Sequence, residues 1–306
     1  IAVTRDSPWG DAGAVVAEGR RLADAWGTPD AFESVTEKRA DDLAAADIVT
    51  NLGFVRPVDA ATVAAMKPTA VVPLMWETWE FRPEEVDLAA CREKGILVLG
   101  TDEHRIGFID YAAYVDLRLL FEAGIEVFQN RLLVFASGPV AVAINRLFRA
   151  MGLDFRYCSL DETPDPRFAD RHICPEDRDT LLAWAADSDA ILCDEKSHDY
   201  LLIGPGGVLE ADVVARANPG LSLVFRSGTL DFDASDRAGL YRYPERQVPF
   251  GYSTMGSYHL GPRPVIELHA AGLKVAEVMA RARLAGAAPA EAAWRALADS
   301  PAMDFE

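Results

Sequence analysis

Residues 132–159 read LLVFASGPVAVAINRLFRAMGLDFRYCS, and this stretch decides the fold class. It begins with an apolar run, breaks at small residues, and continues as an amphipathic segment followed by Gly152 and a second apolar run. A short apolar run behind a turn predicts a strand, and the amphipathic segment predicts a helix. The stretch therefore predicts a βαβ unit with two parallel strands.

The turn of this unit has the spacing of a degenerate dinucleotide motif. The pattern GxGxxG survives as Ala136, Gly138 and Ala141. Such a site needs a tight turn, a residue without a side chain where the backbone meets the pyrophosphate, and a small residue for helix packing. Gly138 and Ala141 meet the last two needs, and Ala136 only partly meets the first. Phosphate would bind the N–H groups at the helix N-terminus, so the predicted cofactor-binding residues here are Ser137, Gly138, Pro139 and Val140.

The end of the second strand leaves the choice of cofactor open. An acid that binds the ribose hydroxyls of NAD is expected about 20 residues after the turn. Ser159 stands there, with Asp161 two residues later, and both are predicted to bind NAD or NADP. Arg156 and Arg167 would favour the 2′-phosphate of NADP if they turned inward. Two alternative interpretations stay open. One is that the small residues only serve the strand–helix corner, as they would in any such unit. The other is that the site no longer holds a dinucleotide.

Strand-like and helix-like segments alternate through the rest of the 306 residues. Short apolar runs separated by amphipathic segments fill residues 1–100, and a second such series follows residue 130. Apolar positions at helical spacing predict a long helix over residues 109–128, and a final long helix is predicted from Pro264 to about residue 284. The pattern predicts an α/β fold with two Rossmann-like lobes and parallel sheets.

Composition excludes several classes of partner. The formal net charge of −18 repels phosphate backbones and anionic lipid, and no apolar run approaches the ~20 residues that span a bilayer. The cysteines form no CxxC pair and have no histidine at metal-ligand spacing; they are Cys91, Cys158, Cys174 and Cys193. We therefore predict a cytoplasmic protein with reduced thiols, no metal, and a small-molecule substrate rather than a nucleic-acid or membrane partner.

Two further stretches resemble the D-2-hydroxyacid dehydrogenase family. Residues 84–103, EEVDLAACREKGILVLGTDE, are similar to the end of the family's first lobe. Residues 186–228, from ADSDAILCDEK to LSLVFRSG, are similar to its nucleotide-lobe run, which ends on a strand carrying a catalytic Arg next to Gly. The resemblance implies a substrate domain of residues 1–105, completed by a helix that returns within residues 265–306. A dinucleotide-binding domain, residues 106–264, would be inserted between these parts.

The resemblance also implies a mechanism of hydride transfer with NAD or NADP. In the family, a His moves the proton on the substrate oxygen, an acid tunes that His, and an Arg binds the 2-oxo carboxylate. In this chain the Arg falls on Arg226, the His on His259 and the acid on Glu245. Cys193, which ends the strand predicted over residues 190–193, and Asp194, which follows it, join the predicted cofactor-binding residues.

Several of these assignments carry an alternative. Arg226 stands one place before the expected position, which turns its side chain to the other face of the strand. His259 could be a surface-loop histidine, and Tyr252 and Ser253 are then the fallback donors. His269, among apolar neighbours in the last helix, is interpreted as a core or interface histidine.

The predicted substrate loop departs most from the family. Relatives have a Gly-containing turn that binds carboxylate, whereas residues 76–82 read WETWEFR. Two indoles and two carboxylates predict a larger pocket for a substrate with an amine, a ring or an added apolar group. The predicted substrate-binding residues are Trp76, Glu77, Thr78 and Arg82. Alternatively, Trp76 and Trp79 only close the lobe core, and Arg82 only pairs with Glu85.

Three functions are compatible with these residues. The first is an NAD(P)-dependent oxidoreductase that acts on the CH–OH group of a 2-hydroxy acid-like substrate, or its 2-oxo form, with a bulky or amine-bearing group. The second is an enzyme of non-redox chemistry on the same scaffold, which Ala136, Ser159 and the residue 76–82 loop favour. The third is a non-catalytic binding or regulatory protein. The resemblance also implies a homodimer formed through the helix of residues 111–128.

Overall fold

The chain divides into two units in the computed structural model, which describes residues 1–7, 10–78 and 81–305. The first unit contains Ile1–Ile106 and Ile266–Glu306, and the second contains Gly107–Val265. The boundary falls in the first turn of the final long helix, which therefore returns the chain to the first unit. Trp79 of the predicted substrate loop, with Glu80, lies outside the described residues.

Strands and helices alternate through both units. The first part contains β1 (Ala2–Val3), α1 (Ala12–Ala25), β2 (Ser34–Val35), α2 (Ala40–Ala45), α3 (Ala60–Ala65), β3 (Val71–Pro73), α4 (Leu88–Lys94) and β4 (Leu97–Thr101). The second unit adds α5 (Asp110–Glu122), β5 (Arg131–Phe135), α6 (Gly138–Ala150), β6 (Asp154–Cys158), α7 (Arg178–Ala186), β7 (Ala190–Asp194), β8 (Leu201–Ile203), α8 (Ala211–Ala217), β9 (Ser222–Ser227), β10 (Thr229–Leu230), α9 (Phe232–Arg237) and β11 (Tyr241–Tyr243). The chain then continues through α10 (Pro262–Leu284), α11 (Pro289–Asp299) and β12 (Ala302–Met303).

The first unit is built on small sheets. β1 and β2 form a parallel pair, and a second sheet has the order β12-β4-β3. In that sheet β3 and β4 are parallel, while β12 joins β4 in the antiparallel direction. Buried apolar side chains of β3, α3 and α4 pack together in one core cluster of this unit, and Val71 of β3 and Leu99 of β4 pack with α10 and α11 in another.

The second unit contains a five-stranded parallel sheet of order β11-β9-β7-β5-β6. Alternate residues of β5 face opposite sides, so Leu132 and Val134 pack with the buried residues of α5 and α6, whereas Leu133 and Phe135 pack against α7 and α8. Both faces are therefore covered, as near-continuous apolar strands predict. This confirms the α/β fold with parallel sheets.

The order of the strands identifies the carboxyl ends of β5, β6 and β7 as the expected place for a ligand. α6 connects β5 to β6 on one side of β5, and the next strand, β7, pairs with the other side. Connections that leave a strand in opposite directions open a crevice at the carboxyl ends of these strands, where open α/β sheets bind their ligands.

Two elements differ from the sequence-based expectation. The helix predicted over residues 109–128 is shorter, because α5 ends at Glu122 and Gly124 follows in the left-handed region at φ +79°. Residues 47–50 belong to the alternating series of residues 1–100, from which a strand is expected here, but they form only a single bridge, Ile48 to Val71. Among the described residues, no helix has the length and apolar character that crossing a membrane requires.

Candidate functional site

The turn between β5 and α6 requires a glycine. Ser137 is the N-cap of α6, and Gly138 has a φ of +58°, where a side chain is strained. A Cβ atom at Gly138 would also lie 3.1 Å from the Oγ of Ser197, in the loop after β7. Pro139 follows in the first helical turn, where its missing N–H costs nothing, and Val140 is buried in the core. The turn therefore presents the Gly138 N–H rather than side chains.

The carboxylate of Asp161 accepts a hydrogen bond from this N–H. Gly138 N donates to Asp161 Oδ2 at 2.7 Å, and the same oxygen accepts from Ser159 Oγ at 2.9 Å. The other oxygen, Asp161 Oδ1, lies 3.0 Å from Nε2 of His198. Burial opposes ionisation of Asp161, but the hydrogen bonds from His198, Gly138 and Ser159 outweigh it and lower the pKa of this carboxyl. Asp161 is thus an anion at the helix N-terminus where a ligand phosphate would bind.

A second, buried carboxylate fastens the loops beneath the turn. Glu195 is fully buried and accepts hydrogen bonds from the Ser137 hydroxyl and, through Oε1, from the backbone N–H groups of Ser197 (2.8 Å) and His198 (3.0 Å). Ser137 Oγ in turn accepts from Leu160 N at 2.9 Å. Burial raises the pKa of Glu195 although these hydrogen bonds oppose the shift. The loops after β5, β6 and β7 are consequently held together at the carboxyl ends of their strands.

Two cavities flank the contact between Asp161 and His198. Asp161 lines a cavity of about 290 Å³ with apolar walls that include Val142 and Phe168, and with Asp165 at its polar side. His198 lines a more polar cavity of about 480 Å³. Apolar walls with carboxylate acceptors suit the base and the ribose hydroxyls of a nucleoside. A phosphate is less well accommodated while Asp161 holds the Gly138 N–H.

The two arginines considered for a 2′-phosphate are engaged elsewhere. Arg167 is exposed, and its guanidinium bonds Asp165, with Nε to Oδ1 at 3.0 Å. Arg156 donates to the backbone carbonyl of Asp170, and its guanidinium lies 5.3 Å from the centre of the Trp184 ring. Neither side chain adds an uncommitted positive charge beside Asp161.

Arg226 lies in a buried cluster of charges and not at an open surface. It is 4% exposed, and its Nη1 lies 2.6 Å from Asp194 Oδ2, 3.3 Å from Asp116 Oδ1 and 3.0 Å from the carbonyl oxygen of Ala112. Ser227 donates to the other oxygen of Asp194 at 2.6 Å. The substrate-binding role assigned to Arg226 finds no support in this geometry, because these contacts fix its side chain on the α5 side of the sheet.

The pKa values of the two carboxyls in this cluster, Asp116 and Asp194, shift in opposite directions. Complete burial, reinforced by the negative charge of Asp194, raises the pKa of Asp116 well above its usual range. Burial also opposes ionisation of Asp194, but Arg226 and the Ser227 hydroxyl hold the pKa of Asp194 below its usual range. The directions of these shifts favour a salt bridge between Arg226 and Asp194, with Asp116 as the carboxyl of the pair that holds a proton more readily. Asp194 and the fully buried Cys193 are core residues here and present no side chain to a ligand.

His259 lies next to α5 in the 3₁₀ helix Ser257–Leu260. Its Nδ1 is 3.0 Å from both the backbone N and the carbonyl O of Gly256, so Nε2 is the ring nitrogen that these two contacts do not use. The Arg118 guanidinium donates to the His259 carbonyl, and Glu122, which pairs with Arg118, interacts electrostatically with His259. Glu122 of α5, rather than Glu245, is thus the carboxylate placed near this histidine.

The remaining predicted residues of the second unit are at the surface or in the last helix. Glu245 is exposed in the loop after β11, where its carbonyl accepts from Arg242 at 2.8 Å. Tyr252 is exposed, and Ser253 is partly buried. His269, in the part of α10 that belongs to the first unit, is half-buried, and burial lowers its pKa, as a partly packed histidine should show.

The loop at residues 76–82 begins at the carboxyl end of the first unit's sheet. Glu77 is 1% exposed and accepts from the backbone N–H of Glu103 at 2.9 Å. Thr78 Oγ1 donates to the carbonyl of Asp304 at 3.2 Å. The Trp76 ring lies 5.4 Å from the Arg56 guanidinium, and Arg82 lies 3.8 Å from Glu85. The Arg82–Glu85 ion pair is present, and Glu77 and Thr78 make internal contacts.

Sequence reasoning missed three residues that the structure places at these sites. Glu195 and His198 directly follow β7, the strand beside β5, and polar residues just after such a strand are a usable signal for a ligand crevice. Asp116 lies inside the apolar pattern of α5. A carboxylate on the buried face of a helix is a signal for a charge partner elsewhere in the chain.

We expect Asp116→Asn and Asp194→Asn, which replace two neighbouring carboxyls by amides, to shift the free energy of unfolding in opposite directions. The folded pKa of Asp116 is above its unfolded value of ~3.9, so stability falls as pH rises between these two values. Asp116→Asn removes that loss and should stabilise the protein at pH 7. The stabilising charge of Asp194 is instead present above its unfolded pKa, and Asp194→Asn leaves Arg226 without its 2.6 Å partner, a cost of about 3–5 kcal/mol.

Urea denaturation at pH 5 and pH 8 checks this pair of variants. The wild type should lose stability between the two pH values relative to Asp116→Asn. Equal destabilisation by both substitutions would contradict the raised pKa of Asp116.

No family model matches the chain, and no curated protein sequence matches it. Among solved structures, a 2-hydroxyacid dehydrogenase from Ketogulonicigenium vulgare Y25 is 18% identical over 87% of this chain and 93% of its own, with a TM-score of 0.51. An NAD⁺ complex of D-lactate dehydrogenase from Lactobacillus jensenii is 13% identical over 92% and 96%, with a TM-score of 0.48.

An NADPH-dependent glyoxylate/hydroxypyruvate reductase from Sinorhizobium meliloti is 18% identical over 92% of this chain and 93% of its own, with a TM-score of 0.46. The match to the K. vulgare enzyme covers both units of this chain. At these identities the likeness concerns the fold. The chain has the fold of the D-2-hydroxyacid dehydrogenases, which confirms at that level the resemblance seen in the sequence.

Proposed function

We propose that this protein is an NAD-dependent oxidoreductase that acts on a 2-hydroxy or 2-oxo acid-like substrate. The observation that carries the proposal is the Gly138 turn, which stands at the carboxyl end of β5 where the strand order reverses, beside a nucleoside-sized cavity of about 290 Å³. Solved structures with this fold include NAD⁺- and NADPH-dependent enzymes, which supports a nicotinamide cofactor.

The residues around the turn indicate how the cofactor would be held. The base would lie against the apolar wall of the cavity that Asp161 lines, with Asp161 and Asp165 as acceptors for the ribose hydroxyls. The pyrophosphate would take the Gly138 N–H, which requires the Asp161 carboxylate to give up that hydrogen bond. When bound, the nicotinamide supplies the hydride acceptor or donor.

Charge around the cavity favours NAD over NADP. Asp161 and Asp165 both line it, and a 2′-phosphate would bring its negative charge close to theirs. Arg167 is bonded to Asp165, so its charge is already balanced. We therefore assign NAD as the preferred cofactor.

The proposed proton-transfer residue lies in the second unit, and the proposed substrate residues lie in the first. The Nε2 atom of His259 is the proton-transfer group in this proposal, and Glu122 of α5 is the carboxylate that interacts electrostatically with this histidine.

Of the substrate residues predicted in the first unit, Trp76 and Arg82 stay in the proposal, and they suit a bulky group better than a small anion. Glu77 and Thr78 do not stay, because Glu77 is 1% exposed and Thr78 bonds the Asp304 carbonyl. A cytoplasmic location, suggested by the free thiols, is part of the same proposal.

A second candidate is an enzyme of non-redox chemistry, or a ligand-binding protein, on this scaffold. Two observations favour it: Asp161 holds the anion position of the turn, and Arg226 is enclosed in an internal ion pair. Both features remove a group that hydride transfer on a 2-oxo acid would use. Cofactor binding separates the two candidates.

We expect NADH to bind with a saturable fluorescence change and with at least about tenfold higher affinity than NADPH, a difference of about 1.4 kcal/mol. Gly138→Asp should abolish binding, because the new side chain would meet Ser197 and place a carboxylate on the pyrophosphate path. Gly152→Asp is the matched control, since Gly152 also has a positive φ of +71° but open space around it.

The same titration measures the role of Asp161. Asp161→Asn should narrow the preference for NADH over NADPH, because it removes the charge that opposes the 2′-phosphate. If neither cofactor binds the wild type, the redox proposal fails and the second candidate takes its place.

We also propose that the protein is a homodimer that associates through α5. Tyr114 and Phe121 of this helix are 48% and 55% exposed, and Phe128 just beyond it is 77% exposed. Exposed aromatic side chains at helical spacing are typical of an interface. Phe121→Glu should convert the dimer to a monomer in size exclusion with light scattering. Trp294→Glu, at an exposed indole of α11, is the control and should leave the mass unchanged.

A monomeric mass for the wild type at micromolar concentration would rule out the dimer. The cofactor titration does not depend on this result.

A further inference from the structure

We propose that Arg226 is a positioning residue, which holds the segment carrying His259 against α5 and does not bind the substrate. The proposal rests on the proton-transfer role of His259 in the proposed function. It replaces the role that the family resemblance implies for this arginine.

The first support is a set of hydrogen bonds between the end of β9 and residues 254–255. Arg226 Nε donates to the carbonyl of Met255 at 3.1 Å, and the Arg226 carbonyl accepts from Thr254 N at 2.8 Å. Thr254 Oγ1 also donates to the carbonyl of Phe225 at 2.7 Å. Thr254 and Met255 are 9% and 6% exposed, so water does not compete strongly for these bonds.

The second support is that α5 holds both ends of the same segment. Arg226 Nη1 bonds the Ala112 carbonyl and Asp116 in the first half of α5. In the second half of the helix, the Arg118 guanidinium donates to the His259 carbonyl. The segment from Thr254 to His259 is therefore fastened to one helix at two points. Its orientation on α5 depends on the Arg226 anchor at one end.

Local geometry passes this anchoring on to the imidazole. Met255 directly precedes Gly256, whose backbone N and O lie 3.0 Å from His259 Nδ1. A shift of Met255 would move Gly256, and with it the group that fixes the ring orientation of His259. The position of Nε2 thus depends on the Met255 carbonyl, which Arg226 holds.

The charges around Arg226 explain why it does not bind a substrate anion. A carboxylate clamp uses two parallel N–H donors of the guanidinium. Here Nε and Nη1 are engaged with Met255, Ala112, Asp116 and Asp194. A carboxylate bound by two parallel donors would therefore have to displace either the Met255 carbonyl from Nε or the fully buried Asp194 from Nη1, and Asp194 would then be left without its counter-charge.

Hydrogen exchange and NMR on the whole chain test the proposal without an activity assay. Two variants are used: Arg226→Lys, which keeps the charge but loses the planar set of donors, and Arg226→Met combined with Asp194→Asn, which leaves no unpaired buried charge. We expect backbone exchange in residues 253–261 to become at least about tenfold faster, which corresponds to about 1.4 kcal/mol. The ring resonances of His259, and the pH at which they titrate, should shift in both variants.

Arg242→Lys is the matched control. Arg242 is also a largely buried arginine that pairs with an aspartate, Asp236 at 2.9 Å, and donates to a loop carbonyl of the same unit. It should leave exchange in residues 253–261 and the His259 resonances unchanged. Unchanged exchange in β5 shows that the variants remain folded.

Oxalate, a small dicarboxylate, is the probe for the opposite outcome. If Arg226→Lys leaves residues 253–261 and the His259 ring unchanged but abolishes oxalate binding, then Arg226 is a substrate clamp and the proposal is wrong. Unchanged exchange with unchanged oxalate binding also overturns it. Because exchange is measured without NADH, a failure of the redox proposal gives a different result, namely no cofactor binding with the positioning effect intact.

Discussion

The hydrogen bond from Gly138 N to Asp161 joins the carboxyl ends of β5 and β6 at the point where the strand order reverses. The N-terminus of α6, where an anion is stabilised, is thus bound to a carboxylate of the protein itself. The surrounding contacts follow from this arrangement: His198 pairs with the second oxygen of Asp161, and Glu195 fixes the backbone of the loop that carries His198. Any ligand phosphate has to compete with Asp161 for the turn.

A second constraint is the buried charge at the carboxyl ends of β7 and β9. Arg226 and Asp194 neutralise each other, and burial beside Asp194 raises the pKa of Asp116, which disfavours a second negative charge in the core. Such a cluster adds little net stability but tolerates few alternatives, because removal of one partner leaves an unpaired charge. It therefore fixes the relation of α5, β7, β9 and residues 254–255 to one another.

The fold was predictable because it depends on local patterns. The apolar strands, the small residues of the turn and Gly152 identify the βαβ unit from residues 132–159 alone, and turn chemistry named Gly138 and Asp161. The partners of Asp161 were not predictable, since His198 is 37 residues further along the chain and only the pairing of β5 with β7 brings it close. Long-range contacts of this kind carry no periodic signal in the sequence.

The catalytic assignments show a different limit. A shift of one residue in a strand reverses the face of a side chain, so the displacement of Arg226 by one place could change its role from the crevice to the core. The contacts with Asp116 and Asp194 are consistent with that reversal. Glu245 was chosen from its order in the chain, whereas the carboxylate near His259 comes from α5, more than a hundred residues earlier. Order along the chain was a poor guide because the 3₁₀ helix packs on a helix from the start of the unit.

Binding of an anion at the Gly138 N–H is measured most directly by the backbone amide resonance of Gly138, observed by ¹⁵N–¹H NMR while NAD⁺ is added. If the pyrophosphate replaces the Asp161 carboxylate on this N–H, the Gly138 amide should shift in a saturable way, and Asp161→Asn should change the starting position of the resonance but not its end point. A Gly138 amide that is insensitive to both saturating NAD⁺ and Asp161→Asn would contradict the account, because neither anion would then be bound at the turn.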